Sequence, residues 1–371
     1  MESWEHINWF IASYCNLDCG FCFKPDNHYG HEPERLKELA ELLVANNVKK
    51  VTLGGGEPAL AGSLEQVMRI LKKGGIKTSL HTNGVLLSPE RISSFSGILD
   101  EIAFPLDSTD REMQMHLRGK GFMHFFDNIH QMISSVHDTR IKLVYHTVFT
   151  KINKEGITEI YNFIERNGFD HWKVYEFNHE LTRHQVLKQL RMAEDEALKK
   201  HLTKRLLSID RLRGQGNPAE GCTNTLFADF LLAEEMIRSI YNNPRVKFIG
   251  IRDEHKPTYA FLDNKGDIAF YTWFSTNERR PLGNILEDKT FIKEKLGSIH
   301  RKIYDEPTLF DDKTEDEWVE ATLDSEVWTR LNEGAYCVEE IKKIRHEYYP
   351  LFNKLAMLYM ERQERIIKSM E

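Results

Sequence analysis

The chain has little cysteine, only 5 residues in 371. That scarcity excludes a disulfide-stapled secreted scaffold, which needs paired cysteines to replace a missing core. Long hydrophobic runs are also missing, and nothing approaches the roughly 20 apolar residues that cross a bilayer. The opening Met1-Glu-Ser-Trp-Glu-His6 has neither the basic region nor the apolar region of a secretory signal, so a reducing cytoplasm is the expected location. No internal repeat and no low-complexity tract is present. Positive charge is not in excess: the formal net charge is -7, which argues against general nucleic-acid binding and leaves only a local basic patch open.

The cysteine that is present is concentrated. Cys15, Cys19 and Cys22 stand at C-x3-C-x2-C spacing in the run Tyr14-Cys-Asn-Leu-Asp-Cys-Gly-Phe-Cys-Phe23. Clustered thiolates suit zinc or an iron–sulfur cluster, and with His28 the set also reads as a Cys3His zinc site. Three ligands on a cluster leave one iron open to a group that takes part in chemistry. Strand-like Val51-Thr-Leu53 then runs into Gly54-Gly-Gly-Glu-Pro58. Gly55 and Gly56 let backbone approach a ligand closely, and Glu57 offers a carboxylate to an ammonium group. A zinc finger has no use for such a turn about thirty residues after its cysteines, so the cluster is favoured.

This pairing of motifs resembles the radical S-adenosylmethionine (SAM) superfamily. The resemblance implies a [4Fe–4S] cluster held by Cys15, Cys19 and Cys22, with SAM on the fourth iron and Gly55, Gly56 and Glu57 around its methionine moiety. It implies reductive cleavage of SAM to a 5′-deoxyadenosyl radical, fed by an electron donor such as flavodoxin or ferredoxin.

Short β-rich runs followed by amphipathic stretches predict six strand–helix units. The expected strands are Ile7–Ala12, Lys50–Leu53, Lys77–His81, Glu101–Leu106, Ile141–Phe149 and Trp172–Phe177. The expected helices are Pro33–Ala45, Ser63–Lys73, Pro89–Phe95, Phe122–Ser135 and Lys154–Asn167, with a sixth starting near Leu181. Alternation of this kind implies parallel pairing with right-handed crossovers. The fold class is therefore α/β, a partial (β/α)6 TIM-like barrel open on one side, with ligands beyond the C-terminal ends of its strands. Residues 1–213 are expected to form this barrel, 214–290 an extension with a β-hairpin, and 291–371 a helical tail.

Several residues at those strand ends carry two readings each. Asn83 and Gly84 are either a simple turn or a contact to SAM ribose or carboxylate. Asp107 and Ser108 are either SAM ligands or part of a helix cap ending at Asp110. Arg118 either meets the SAM carboxylate or lies solvated on the surface. Phe21 and Phe23 either shield the cluster and touch adenine or belong to the core.

Asn8-Trp9-Phe10, the cysteine run, Leu106-Asp-Ser108, His146-Thr-Val-Phe149 and Trp172-Lys-Val-Tyr175 look like the viperin branch, over roughly residues 6–180. Viperins dehydrate a nucleoside triphosphate, holding it with a lysine and an asparagine on the fifth strand and an arginine before the sixth-strand tryptophan. Here Val144, Tyr145 and His146 occupy the first region and His171 the second, with only Lys173 keeping basic character. Losing fixed cations suits a less charged substrate, such as a nucleoside, a monophosphate or a sugar. His146, His171 and Lys173 are its candidate contacts, unless the histidines are satisfied barrel residues.

Leu181 to Arg213 is helical and basic, which reads as a solvated face or as a surface for a phosphate-bearing partner. Thr258–Leu262, a turn at Asp263-Asn-Lys-Gly266, and Asp267–Trp273 read as a hairpin. Only Cys222 and Cys337 remain, too few for a second four-cysteine cluster within one chain. The acidic stretch Asp311–Glu317 and the helical spacing of Leu351, Leu355, Leu358 and Tyr359 suggest a packing tail. Two rival functions stand beside the small-molecule one. One is radical SAM modification of a peptide or RNA; the other is a zinc-bearing, non-catalytic interaction protein.

Overall fold

The computed structural model describes residues 5–22, 32–178, 182, 186–187, 189–191, 193–213, 226–250, 260–270 and 282–299. Strands β1 (His6–Ala12), β2 (Lys50–Gly55), β3 (Lys77–His81), β4 (Glu101–Pro105), β5 (Lys142–Phe149) and β6 (His171–Glu176) lie side by side in sequence order. Each pairs parallel with the next, as connections through helices require. A seventh parallel strand, β7 (Val246–Ile249), extends the sheet beyond β6. On the opposite edge β8 (Ala260–Leu262) runs parallel to β1, then pairs antiparallel with β9 (Asp267–Phe270), which pairs with β10 (Gly283–Asn284). The ten-stranded sheet is not closed.

Alternation along each strand sets the two faces. Ile7, Trp9 and Ile11 of β1 are buried, while His6, Asn8 and Phe10 between them are part-exposed on the lumen side. The helices fit against the buried face because their apolar residues recur at helical spacing. In α1 (Pro33–Ala45) Leu36, Leu39, Ala40 and Leu43 are buried; in α2 (Leu64–Lys73) Leu64, Val67, Met68 and Leu71 are. Proline opens α1 and α3 (Pro89–Ser94), where its missing N–H costs nothing, and Ser88 accepts from the N–H of Arg91 at 3.2 Å to cap α3.

The strand Lys77–His81 stands at its expected bounds, and the other five differ from the expected ones by a residue or two at their ends. The expected single helix Phe122–Ser135 is instead α5 (Met123–Asp127) and α6 (Ile129–His137), interrupted at Asn128. A helix not foreseen, α4 (Arg111–Arg118), begins at Asp110, whose carboxylate accepts from the N–H of Met113 at 2.7 Å. Helix α7 (Ile157–Asn167) then leads to β6, and α8 (Glu196–Arg213) and α9 (Leu226–Tyr241) precede β7. The hairpin is present as β8 and β9 around Asp263–Gly266, with Gly266 at φ +91°. Leu181, Cys222, Cys337, the acidic stretch and the 351–359 helix lie outside the described residues. No described helix is long and apolar enough to cross a membrane.

Thr147 on β5 ties the end of β4 to the start of β6. Its hydroxyl donates to the carbonyl of Leu106 at 2.5 Å and accepts from the indole N–H of Trp172 at 2.9 Å. Thr147→Val keeps the shape but leaves that buried N–H unpaired. We expect it to lower the unfolding free energy by about 1–3 kcal/mol, read as a shifted urea midpoint at unchanged slope.

Candidate active site

The cysteine loop leaves the C-terminal end of β1 and is laced to the glycine turn that leaves β2. The N–H of Gly56 donates to the carbonyl of Ala12 at 2.7 Å, and the N–H of Glu57 to that of Tyr14 at 3.0 Å. Gly55 sits at φ +100°, and a Cβ there would lie 2.4 Å from the Ala12 carbonyl oxygen, so only glycine fits. Glu57 is fully buried and accepts from the Thr82 hydroxyl at 2.6 Å, the Asn83 N–H at 2.7 Å and the Ala59 N–H at 2.9 Å. Burial pushes its carboxyl up while those three donors oppose the shift. Both oxygens are engaged, with two of the three donors on the turn after β3 and the third on the turn after β2. Asn83 then reaches the cysteine loop: its amide donates to Asn16 Oδ1 at 2.8 Å and lies 3.6 Å from Cys15 Sγ. Its own Oδ1 accepts from the N–H of Val85 at 2.9 Å.

A second set of contacts supports the loop from beneath. The buried guanidinium of Arg118 pairs with Asp107, which is fully buried, and lies 3.9 Å from Cys19 Sγ. It also stands 4.9 Å from the Phe21 ring centroid and 5.3 Å from that of Phe122, so Phe21 packs on a cation. The other Asp107 oxygen accepts from the N–H of Val148 at 2.7 Å. Asp107 and Arg118 therefore face each other beneath the cysteine loop. Ser108 accepts from the N–H of Asp110 at 3.0 Å and belongs to the turn into α4.

The third support was not foreseen. Arg205 on α8 donates to the carbonyl of Cys22 at 2.7 Å and pairs with Asp18 at 3.5 Å; His201 reaches the same carboxylate at 2.9 Å. A Cβ on Gly20 would lie 2.9 Å from Ser208 Oγ, so the helix rests on the loop. The basic run is thus a wall of the site as well as a solvated face. Its signal was a stripe: Leu202, Arg205, Ile209 and Leu212 recur at helical spacing and are all buried.

The cysteines share this loop unequally: Cys15 is exposed, Cys22 intermediate and Cys19 buried. Burial pushes the Cys19 thiol up to about 12, against the pull of Arg118. Among the described residues no three His, Cys, Asp or Glu side chains converge tightly enough to hold a single metal ion. Phe23 and His28 lie outside the described residues.

Further down the lumen His146 stands edge-on to His81 at 4.5 Å and to Tyr175 at 5.2 Å between ring centroids. Neither His146 Nε2 nor His171 Nδ1 has a hydrogen-bond partner among the described residues. Burial holds His146 well below the usual histidine range and lowers His81 to about 3, so both rings are neutral. Burial also lowers Lys173, with Glu101 opposing.

The Radical SAM superfamily family model matches residues 9–164. An S-adenosylmethionine-dependent nucleotide dehydratase of Lacinutrix mariniflava is 28% identical over 185 residues, covering 45% of this chain and 37% of its own length. One from a Thermoplasmatales archaeon is 28% identical over 169 residues, covering 45% and 59%. A probable GTP 3′,8-cyclase of Sulfurisphaera tokodaii is 29% identical over 182 residues, covering 48% and 57%. The chain thus matches 37% to 59% of the length of these curated relatives. In fold it resembles native anSMEcpe with bound AdoMet, with TM-score 0.52 at 16% identity over 95% of this chain and 98% of that one. It also resembles Streptococcus suis SuiB, with TM-score 0.53 at 16% identity over 79% and 66%.

The unequal burial predicts an order of reaction. In metal-free, reduced protein an alkylating agent should modify Cys15 first and Cys19 last, because thiolate content and access both govern the rate. Peptide mass spectrometry over time checks this, and Cys19 reacting as fast as Cys15 would contradict the described loop.

Proposed function

We propose that residues 9–164, which match the Radical SAM superfamily model, make the protein a radical SAM enzyme that cleaves SAM reductively and takes hydrogen from a small nucleotide-like substrate. The superfamily works with a [4Fe–4S] cluster and SAM, and the donor set here suits both. Three thiols on one loop are soft ligands fit for iron and leave one cluster position open. Cys15, Cys19 and Cys22 would hold the cluster; the amide of Asn83 and the guanidinium of Arg118, close to two of the sulfurs, favour their thiolate forms. The Gly55–Gly56 turn, tied to the end of β1 by the Gly56 N–H on the Ala12 carbonyl, would seat SAM with its backbone. When bound, cluster and SAM together supply a 5′-deoxyadenosyl radical.

The remaining work falls to the chain's own residues. Glu57 fixes the turn that carries Asn83, Asp107 with Ser108 fixes the floor under Arg118, and Arg205 holds the Cys22 carbonyl, so the cysteine loop is held from three sides. Phe21 covers that buried cation, and Phe10 and Phe261, 5.2 Å apart, make an apolar wall across β1 and β8. His146, His171 and Lys173 line the lumen as substrate contacts. A one-electron donor such as flavodoxin or ferredoxin is the expected partner. The observation that carries the reading is the lacing of the cysteine loop to the glycine turn. The nucleotide-acting relatives support the substrate class.

The test is anaerobic reconstitution, followed by iron and sulfide analysis and by dithionite, SAM and one nucleotide at a time. We expect about four irons per chain and 5′-deoxyadenosine formation stimulated by one nucleotide. Cys19→Ala should lose the iron. Zinc without iron would defeat the proposal, and cleavage that no nucleotide stimulates would move the substrate to a peptide or RNA.

A further inference from the structure

The floor of the lumen has a charge composition of its own. Lys50 on β2 lies 3.8 Å from Glu101 on β4, and the Ser79 hydroxyl donates to that carboxylate at 2.7 Å, which fixes it. Lys173 on β6 and Lys247 on β7 are register partners on neighbouring parallel strands, so their side chains leave the same face of the sheet. Lys50, Lys247 and Glu101 all act electrostatically on Lys173. Lys50, Lys173 and the exposed Lys247 thus lie within electrostatic reach of one carboxylate, a surplus of two positive charges. The lumen histidines add none, since burial lowers His6, His81, His146 and His171 alike. Arg118 and Arg205, the buried cations nearest the cysteine loop, are paired with Asp107 and Asp18 and contribute nothing to this floor.

Nearer the cysteine loop the unpartnered Nε2 of His146 is held in place by the edges of His81 and Tyr175. Buried polar atoms without partners are rare in folded proteins, and His146, on the part-exposed face of β5, offers this one to a ligand's hydroxyl or amide. Resting on the nucleotide reading above, we infer that Lys50, Lys173, Lys247 and Glu101 form a subsite for a single phosphate monoester, with His146 meeting a neutral group of the same substrate. The substrate class is then a nucleoside monophosphate. A phosphate monoester carries about -1.5 to -2 charge at pH 7, which matches the surplus. The further phosphates of a triphosphate would bring charge that this floor does not balance and would meet the Glu101 carboxylate, and unpaired charge in a partly desolvated lumen is costly.

Equilibrium titration calorimetry of the reconstituted protein with SAM and no reductant tests this without turnover. The probes are the common ribonucleosides, their 5′-monophosphates and 5′-triphosphates, and ribose 5-phosphate. We expect one monophosphate to bind about tenfold or more tighter than both its nucleoside and its triphosphate. Lys173→Ala should bring the monophosphate down to the affinity of the nucleoside, with SAM affinity unchanged. Lys247→Met, at the exposed rim, should cause a smaller loss in the same direction and guards against misfolding of the first variant. A triphosphate that binds tightest, or a monophosphate preference that survives both variants, would overturn the subsite. Ribose 5-phosphate binding as tightly as every nucleotide would uphold the subsite and defeat the nucleotide reading instead.

Discussion

The site hangs on one buried carboxylate. Glu57 has no exposed surface and spends its two oxygens on three donors, two of them on the turn after β3 and one on the turn after β2. A buried acid is expensive unless its acceptors are filled, and here they are filled by the ends of neighbouring strands. Satisfying the charge and fixing the relative height of β2 and β3 are therefore the same act. Asn83, carried by that fixed turn, then sets the position of Asn16 and Cys15.

The Asp107–Arg118 pair repeats this logic on the other side of the loop. A guanidinium taken out of water needs a carboxylate and flat apolar faces, and Asp107, Phe21 and Phe122 provide them. Since Asp107 also binds the backbone of β5 and Arg118 ends α4, the pair ties a strand and a helix to the thiol of Cys19. Two buried polar centres, each satisfied within the protein, leave the glycine backbone and the lumen residues as the surfaces open to small molecules.

Much of the fold was legible because short parallel strands and their covering helices write two distinct periods into the sequence. Lys77–His81 and Pro33–Ala45 show those periods without interruption, and both stand at their expected bounds. The break at Asn128 and the helix Arg111–Arg118 were harder, since one needs a local loss of helical pairing and the other is polar nearly throughout. The strand Val246–Ile249 is four residues long and acquires its identity only by lying beside β6. Within the site, motif spacing brought the cysteines, the glycine turn and Asn83 together. It did not reveal that Glu57, Asp107 and Arg118 turn inward, because a motif names a residue and not the direction of its side chain. Arg205 was hidden for another reason: a buried arginine in a basic helix looks like its solvated neighbours until the apolar stripe around it is counted.

The contact between Arg205 and the carbonyl of Cys22 spans 183 residues of chain. The three cysteines emerge before α8, and the wall that shapes their loop arrives only when that helix has been made and has packed against it. Contacts of such sequence separation form late, after the loop-closure entropy between them has been offset by the sheet. The cysteine loop is therefore among the last parts of the barrel to reach its final form. Its thiols spend the interval open to oxidation and to competing metals, so cell-wide control of thiols and metals during synthesis bears on this protein before it has ever met its cofactors.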